Sequence, residues 1–254
     1  MHATYPILEF DSNREAVLEP SKLLTKRDLP EHCVICFFFD VMERMALDEH
    51  VETLPPLKSE MGAHPVYKLD MNGTPVALLH CGVGAPLAAG MLEEMIARGS
   101  RKFIACGGAG VLKQDIVAGH LIVPTVAVRD EGTSYHYLPP GREVAAHPDA
   151  VQAIEAALRQ HHGPYLTGKT WTTDAIYRET PDKVALRRDE GCITVEMEAA
   201  AFFAVAQFRN VVFGQILYAG DDVSGIEWDS RQWQERATIR DQIFWLAVEA
   251  CVKL

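Results

Sequence analysis

Three apolar, strand-like runs end in glycine or acidic residues, and this repeated arrangement constrains the fold more than any other feature of the sequence. The runs are "RKFIACGGAG", "CITVEMEAAAFFAVAQF" and "VVFGQILYAGDD", and helix-like segments separate them along the chain. Strands that alternate with helices form an α/β sheet, whose ligands bind at the carboxyl ends of its strands. The pattern predicts an α/β fold with a central mixed, mostly parallel sheet flanked by helices, and a site at "CGGAG", "VEME" and "AGDD".

The chain contains no linker-like stretch that would divide it. Its 254 residues are enough for one large domain. We expect an irregular N-terminal arm over residues 1–32 and a single α/β domain over residues 33–254. The apolar run Val34–Phe39 predicts a first strand buried on both faces, the pair Asn72-Gly73 predicts a β-hairpin, and the sequence from Ser230 to Val252 predicts a closing helix.

Charge and cysteine content narrow the classes of partner. The net charge of -11 gives no attraction to nucleic acid or to an anionic membrane surface. Cys33 and Cys36 form a CxxC pair, but no second Cys or His pair lies at metal-binding spacing, so a zinc site is not expected. The cysteines fit buried thiols of a reducing compartment, and no apolar leader or membrane-spanning run is present. We therefore expect a cytoplasmic protein without a metal.

Glu196 and Glu198 lie inside an apolar run of the kind that is normally buried. If a strand ends at Val195–Met197, its period of two turns both carboxylates to the same side. An ionised pair there accepts hydrogen bonds from a diol and favours a cationic centre in a substrate. Placing Glu198 near the start of the following helix favours its ionised form. The alternative is one carboxylate at a helix N-terminus beside a solvated one.

Asp221 and Asp222 directly follow the apolar strand "VVFGQILYAG". Adjacent carboxylates at a strand end point in different directions, and one that is partly desolvated beside a like charge holds its proton more strongly. One of them is therefore a candidate proton donor. A turn or a helix cap in "GDDVSG" is the alternative reading of the same pair.

The segment "TVEMEAAAFFAVA" resembles the signature of the nucleoside phosphorylase superfamily, trimeric or hexameric α/β enzymes that include uridine phosphorylase, bacterial purine nucleoside phosphorylase and methylthioadenosine nucleosidase. The resemblance extends through "CGVGAPLAAGMLEEMIARG" and "FIACGGAGVLKQDIVAGHLIVPTVAVRDEGTSYHYLPP" to "YAGDDVSG". It implies a phosphorylase/hydrolase-like fold, cleavage of the N-glycosidic bond of a nucleoside, no metal or organic cofactor, and a homo-oligomer that is a dimer, trimer or hexamer.

The resemblance also implies roles for individual residues. Glu198 and Met197 match the residues that hold the ribose hydroxyls, with Glu196 beside them, and Asp221 matches the acid that protonates a purine base. The loop "TTDAIYRET" matches the base pocket and places Ile176 and Tyr177 around the base. The pyrimidine-reading Gln and Arg of uridine phosphorylases have no counterpart there, which favours a purine. The glycines of "CGGAG" predict a turn after the strand, and Gly107, Gly108 and Gly110 would line the pocket of the acceptor.

The expected acceptor is inorganic phosphate, but the arginines that the family uses to bind it are missing. Ala105 and Gly108 replace an Arg and a hydroxyl residue, although backbone N–H groups of "GGAG" could form an anion nest. Hydrolysis by a nucleosidase and a non-catalytic nucleoside-binding protein are the alternatives. The loop "RDEGTSYHYLPP" either closes over a ligand or packs on itself. Candidates for holding phosphate or water are Arg44, Arg129, Arg178 and Glu43.

Overall fold

A mixed sheet of ten strands organises the part of the chain that the computed structural model describes, residues 3–24, 28–235 and 237–254. The strands are β1 (His32–Cys36), β2 (Val51–Ser59), β3 (Gly62–Met71), β4 (Thr74–Leu79), β5 (Lys102–Val111), β6 (Leu121–Asp130), β7 (Glu143–Ala145), β8 (Tyr165–Thr173), β9 (Cys192–Glu196) and β10 (Val212–Asp222). The α-helices are α1 (Pro20–Leu23), α2 (Phe39–Leu47), α3 (Ala85–Ala97), α4 (Pro148–Gln160), α5 (Pro181–Asp189), α6 (Ala199–Arg209) and α7 (Ala237–Cys251).

The strand order is β10-β6-β8-β9-β5-β1-β4-β3-β2, and β10 also pairs with β5. Strands β5, β10, β6, β8 and β9 therefore close into a ring, while β1, β4, β3 and β2 extend from β5 as an open sheet. Pairings β1–β4, β1–β5, β5–β10, β6–β8 and β8–β9 are parallel, and the others, including β5–β9 and β6–β10, are antiparallel. The predicted α/β class with a mixed sheet flanked by helices is confirmed.

Helices cover both faces of the sheet. On one face α3 packs against α6, and the Phe202 ring of α6 stacks on Phe213 of β10 with ring centroids 4.6 Å apart. On the other face α4 packs against α7, where Ile154 and Phe244 are fully buried. Because both faces are covered, the central strands are apolar throughout rather than alternating.

The hairpin predicted at Asn72-Gly73 is confirmed. It joins β3 to β4, and Met71 pairs with Thr74 across the turn. Asn72 and Gly73 have φ values of 53° and 87°, the left-handed backbone that a two-residue hairpin turn requires. Asp70 Oδ1 accepts the Gly73 N–H at 2.7 Å, which further fixes the turn.

Two predicted elements have the wrong boundaries. The first strand ends at Cys36 rather than Phe39, because Phe39 begins α2 and its side chain is 65% exposed. The closing helix begins at Ala237 rather than Ser230. Arg231 and Gln232 have φ values of 46° and 51°, so the backbone there is left-handed and cannot continue a helix.

The segment before β1 lies against the body of the domain through ion pairs. The Arg98 Nε atom donates to Asp28 Oδ1 at 2.9 Å, and Arg209 pairs with Glu19 at 3.1 Å. These pairs tie the segment to the ends of α3 and α6. The division into an arm and a domain stays a prediction.

All six cysteines are buried and unbridged. Within the described residues no group of His, Cys, Asp or Glu side chains is arranged to hold a metal ion. Over those same residues, none of the helices combines the length and the apolar character needed to cross a bilayer.

Candidate active site

Glu196 caps the helix that follows it. Its Oε2 atom accepts the backbone N–H groups of Glu198 at 2.7 Å and Ala199 at 2.6 Å, at the start of α6. These groups have no partner inside a helix, so a buried acceptor there stabilises the helix start. Glu196 is 7% exposed and belongs to the framework that positions the next residues rather than to the cleft surface.

Thr172, on β8, completes this cap. Its hydroxyl donates to Glu196 Oε1 at 2.6 Å and accepts the N–H of Ala200 at 2.9 Å. Burial raises the pKa of Glu196 to about 6, against the lowering effect of these hydrogen bonds. Strand β8 is thereby locked to the β9–α6 junction.

Glu198 directly precedes α6, at the N-cap position, but its side chain makes no capping hydrogen bond to that helix. Its Oε1 atom instead accepts the backbone N–H of Gly84 at 2.6 Å, at the start of α3. Gly84 has a φ of 97°, a backbone conformation that favours glycine and aims this N–H at the carboxyl group. The Glu198 side chain therefore bridges the starts of two helices.

The sequence predicted an ionised Glu198, but the surroundings of its carboxyl group favour the protonated form. Burial, and next the charge of Glu196, raise the pKa of Glu198 to about 8. The stabilising position at the helix N-terminus goes to Glu196 instead. Glu198 is thus a buried carboxyl group whose hydrogen-bonding capacity is only partly used, which suits an incoming hydroxyl pair.

Asp221 lies next to the end of β9. Gly110 pairs with Val195 across β5 and β9, and a β-carbon built on Gly110 would lie 3.0 Å from Val195 Cγ1 and 3.4 Å from Asp221 Oδ1. Only a residue without a side chain leaves this gap open. The structure thereby brings the ends of β5, β9 and β10 together, as the repeated sequence pattern predicted.

Asp221 and Asp222 point in different directions. The Asp221 Oδ2 atom accepts the indole N–H of Trp228 at 2.6 Å. Asp222 is buried, accepts the Ser224 N–H at 2.7 Å and pairs with Arg231. Asp222 therefore forms the turn that was the alternative reading of this pair, while Asp221 remains the candidate acid.

The predicted base loop reaches Asp221. Ile176 and Tyr177 lie on a 3-10 helix (Ile176–Arg178) with exposed fractions of 53% and 95%, unusual for apolar side chains. The next residue, Glu179, is half-buried, and its pKa is raised to about 7 by burial and then by the charge of Asp221. A second carboxyl group thus lies within electrostatic reach of the candidate acid, on the loop that carries the two exposed apolar side chains.

The glycine turn predicted at "CGGAG" is wrong. Gly107, Gly108 and Gly110 all lie within β5, and none of them has a positive φ. Gly107 and Gly108 pair with Leu217 and Tyr218 of β10 in a parallel ladder. An anion nest needs a turn that points successive N–H groups at one spot, which an extended strand does not form.

Aromatic rings also cover these glycines. A β-carbon built on Gly107 would meet Phe37 Cδ2 at 3.4 Å, and one built on Gly108 would meet Tyr218 Cε1 at 3.1 Å. Tyr218 is fully buried, and its hydroxyl donates to the carbonyl of Trp233 at 2.9 Å. Phe37 packs against His80 and Phe202. Gly107 and Gly108 thus have rings on the side where a side chain would project, while Gly108 keeps part of its surface exposed.

Arg129, near the end of β6, binds the loop that follows this strand rather than the site. It is 5% exposed, and its guanidinium donates to the hydroxyl of Ser134 and to the carbonyls of Leu138 and Pro139. The guanidinium also lies over the Tyr135 ring, 4.4 Å from its centroid. The loop that begins at Arg129 therefore packs on itself, which was the second reading of that sequence.

The remaining candidates lie apart from the junction of Glu196, Glu198 and Asp221 in the contacts that the structure describes. Arg44 is paired with Asp40 and, at 2.5 Å, with Asp241, and Glu43 is exposed on α2. Arg178 is exposed on the base loop. Met197, half-buried between Glu196 and Glu198, keeps its place in the predicted ribose site.

Four residues of the site were missed by sequence reasoning: Thr172, Gly84, Glu179 and Trp228. The first two sit in "WTTD" and "CGVG", where the polar and glycine residues were visible but their partners are distant in sequence. Glu179 lies inside the predicted base loop "TTDAIYRET", so its position was a usable signal. Trp228 lies in an irregular segment, and nothing in the sequence pattern pairs it with Asp221.

The chain is similar to known proteins of one superfamily. A family model described as the phosphorylase superfamily matches residues 32–244. Guanosine phosphorylase of Halorubrum lacusprofundi is 29% identical, covering 60% of this chain and 64% of the relative, and uridine phosphorylase of Treponema pallidum is 32% identical, covering 57% and 60%. A crystal structure of uridine phosphorylase from Vibrio fischeri superposes with a TM-score of 0.76 at 24% identity, covering 90% of this chain and 94% of that one.

Proposed function

Because the chain belongs to the phosphorylase superfamily, whose model matches most of its length, we propose that it cleaves the N-glycosidic bond of a purine nucleoside. Matches to curated relatives span only about three-fifths of the length of those relatives, 64% and 60% for the two named above. The proposal therefore rests on the site itself. The observation that carries it is the arrangement of Glu198 and Asp221 at neighbouring strand ends.

Glu198 is proposed to hold the ribose. Its carboxyl group is buried at the meeting point of α3 and α6, and its second oxygen is directed by the bond from Gly84 to the first. Once it has given up its proton, this carboxyl group can accept both ribose hydroxyls and favour the positive charge that develops on the sugar as the bond breaks. Met197 would pack against the apolar side of the ring.

Asp221 is proposed as the general acid. The bond between C1′ of the ribose and N9 of the purine breaks, its electron pair passes into the base, and a proton from Asp221 moves to N7. The base then leaves as a neutral purine. The acceptor oxygen forms a new bond to C1′ and gives up a proton, which restores the acid.

A purine is favoured over a pyrimidine by the base loop. Asp221 resembles the acid with which purine-handling members of the superfamily protonate N7, an atom that pyrimidines lack. The exposed Ile176 and Tyr177 offer apolar contact area to a two-ring base. The named relatives include both guanosine and uridine phosphorylases, so the choice rests on these residues.

Water is the acceptor that the described residues support best, in place of the phosphate expected from the sequence. Gly107 and Gly108 lie in a strand and pack against Phe37 and Tyr218, and Arg129 is bound to the carbonyls of its own loop. A phosphate dianion without charge-assisted donors binds weakly. Phosphate is the second candidate, supported by the names of the relatives.

One experiment separates these possibilities. Release of free base would be measured from a panel of purine and pyrimidine nucleosides, with and without inorganic phosphate, for the wild type and for Asp221→Asn. We expect purine release that does not depend on phosphate and that Asp221→Asn abolishes. Phosphate-dependent release would establish a phosphorylase, and binding of nucleosides without any release would leave a nucleoside-binding protein. A homo-oligomer and a cytoplasmic location stay predictions.

A further inference from the structure

Trp228 lies directly beside the proposed general acid. Its indole N–H donates to Asp221 Oδ2 at 2.6 Å, while 63% of the residue remains exposed. A large aromatic side chain left this exposed, with its one polar atom already engaged, has an uncovered ring face. Glu179, which follows Ile176 and Tyr177 along the base loop, is within electrostatic reach of the same acid, since the charge of Asp221 helps to raise its pKa.

The segment that carries Trp228 is fixed at its base. Asp222 and Asp229 exchange two backbone hydrogen bonds, 2.8 Å and 3.1 Å long, so residues 222–229 form a closed loop. Arg231 pairs with the Asp222 carboxylate and donates to the carbonyl of Ile116 at 2.8 Å. Trp228 therefore precedes a braced residue by one position, and its indole is presented to Asp221 from a defined direction.

We propose that Trp228 is a positioning residue for Asp221 and that its ring covers the purine base. The inference rests on the proposed function of the site. The indole N–H holds Oδ2, which leaves Oδ1, the oxygen above Gly110, to face the base. Because Gly110 has no side chain, nothing from β5 competes for that oxygen.

An indole suits this task better than a cationic side chain would. An arginine bound to Asp221 would favour the ionised carboxylate strongly and so oppose its protonation. The indole N–H is neutral and fixes the orientation of the carboxyl group at a smaller cost to the bound proton. Glu179, whose pKa is raised to about 7 by burial and then by the charge of Asp221, supplies a second carboxyl group near the acid.

The test compares two substrates that differ in their need for a proton. The first is the purine nucleoside that the wild type cleaves fastest, and the second is its 7-methyl derivative, whose base carries a fixed positive charge and leaves without protonation. In Trp228→Phe, which keeps a ring and loses the N–H, we expect kcat for the unmethylated nucleoside to fall about ten- to a hundredfold. We expect kcat for the methylated nucleoside to stay at the wild-type value.

Trp245→Phe is the matched control, because Trp245 is a partly exposed tryptophan on α7 that contacts Phe244. It should leave kcat for both substrates unchanged. If Trp228→Phe slows both substrates equally, or slows neither, Trp228 does not position the acid. If the wild type releases no base from any nucleoside, the proposed function itself fails.

A second readout does not depend on turnover. The chain has four tryptophans, and a purine base under the Trp228 ring should quench part of the intrinsic fluorescence during titration with free base. We expect Trp228→Phe to lose this quenching and Trp245→Phe to keep it. Quenching that survives in Trp228→Phe would overturn the covering role.

Discussion

Glu196 accepts the backbone N–H of Glu198 at 2.7 Å, so one carboxylate of the pair positions the residue that carries the other. The same substitution at the two positions should therefore have opposite consequences. In Glu196→Gln the new amide N–H group would face the hydrogen-bond donors that the carboxylate now accepts. The free energy of unfolding should therefore fall by about 1 to 3 kcal/mol. Thermal and denaturant unfolding would measure this loss.

Glu198→Gln is the matched variant. It keeps an acceptor for Gly84 and is neutral without taking up a proton, so the free energy of unfolding should stay within about 0.5 kcal/mol of the wild type or rise. Its kcat/KM for the nucleoside should fall about a hundredfold, because a neutral amide accepts hydroxyls more weakly and does not favour a cationic sugar. Equal stability losses in the two variants would contradict the division of roles.

Stability should also depend on pH through Glu198. Its pKa rises from an ordinary 4.5 to about 8 on folding, so the folded state holds a proton that the unfolded chain releases. The resulting stabilisation is complete below 4.5 and is lost as the pH rises through about 8. Relative to Glu198→Gln, the wild type should lose at most about 1.4 kcal/mol per pH unit in this window.

Urea unfolding of both proteins at several pH values would check this dependence. Other groups also titrate in the window: the pKa values of Glu179 and Glu196 are raised, and that of His80 is lowered by burial. The difference between wild type and Glu198→Gln cancels the contributions of Glu179 and His80, and it retains the interaction between Glu196 and Glu198. A difference that stays constant with pH would show that Glu198 is not protonated by folding.

Substitution of Asp221 should reduce activity, whereas substitution of its neighbour Asp222 should reduce stability. Asp221→Asn should reduce kcat for purine nucleosides about a hundredfold or more and change the free energy of unfolding by less than about 0.5 kcal/mol. Asp222→Asn weakens a buried ion pair with Arg231 and should destabilise the fold by about 1 to 3 kcal/mol. Base-release kinetics and thermal unfolding of both variants decide the outcome, and a stable Asp222→Asn would contradict the bracing role of that residue.

Substitution of Gly108 should show how closely the Tyr218 ring packs against β5. In Gly108→Ala the new β-carbon would meet Tyr218 Cε1 at 3.1 Å, and the buried, hydrogen-bonded tyrosine has little room to move. We expect a loss of about 1 to 3 kcal/mol in the free energy of unfolding. Gly90→Ala, in the middle of α3 with no atom near the new carbon, should gain about 0.5 to 1 kcal/mol. Circular-dichroism melts of both variants would make the comparison.

The predictions from sequence succeeded where local pattern and function agree. The apolar run around Glu196 and Glu198 indicated a strand followed by a helix, and the structure has β9 and α6 there. The roles of the two carboxylates were less visible, because which one caps the helix depends on Thr172 and Gly84, far away along the chain. Periodicity places side chains on a face, but it does not choose their partners.

For the glycines of "CGGAG", the prediction from sequence was wrong. Glycine usually marks turns, so "CGGAG" predicted a turn, yet these residues continue β5 because neighbouring rings need the space that a side chain would occupy. The start of α7 was misplaced for a similar reason. Trp233 and the left-handed residues before it form a turn whose shape is set by contacts with Tyr218 and Asp222.

The close packing of Phe37 and Tyr218 on β5 also limits where a positive charge for binding phosphate could be introduced. An arginine introduced at the fully buried Ala105 would find no solvent and no room, since the strand is paired on both sides and the rings fill the space beside the next glycines. An anion site at this strand would require the rings and the strand to change together. A single substitution at Ala105 would therefore not supply the charge-assisted donor that phosphate binding needs.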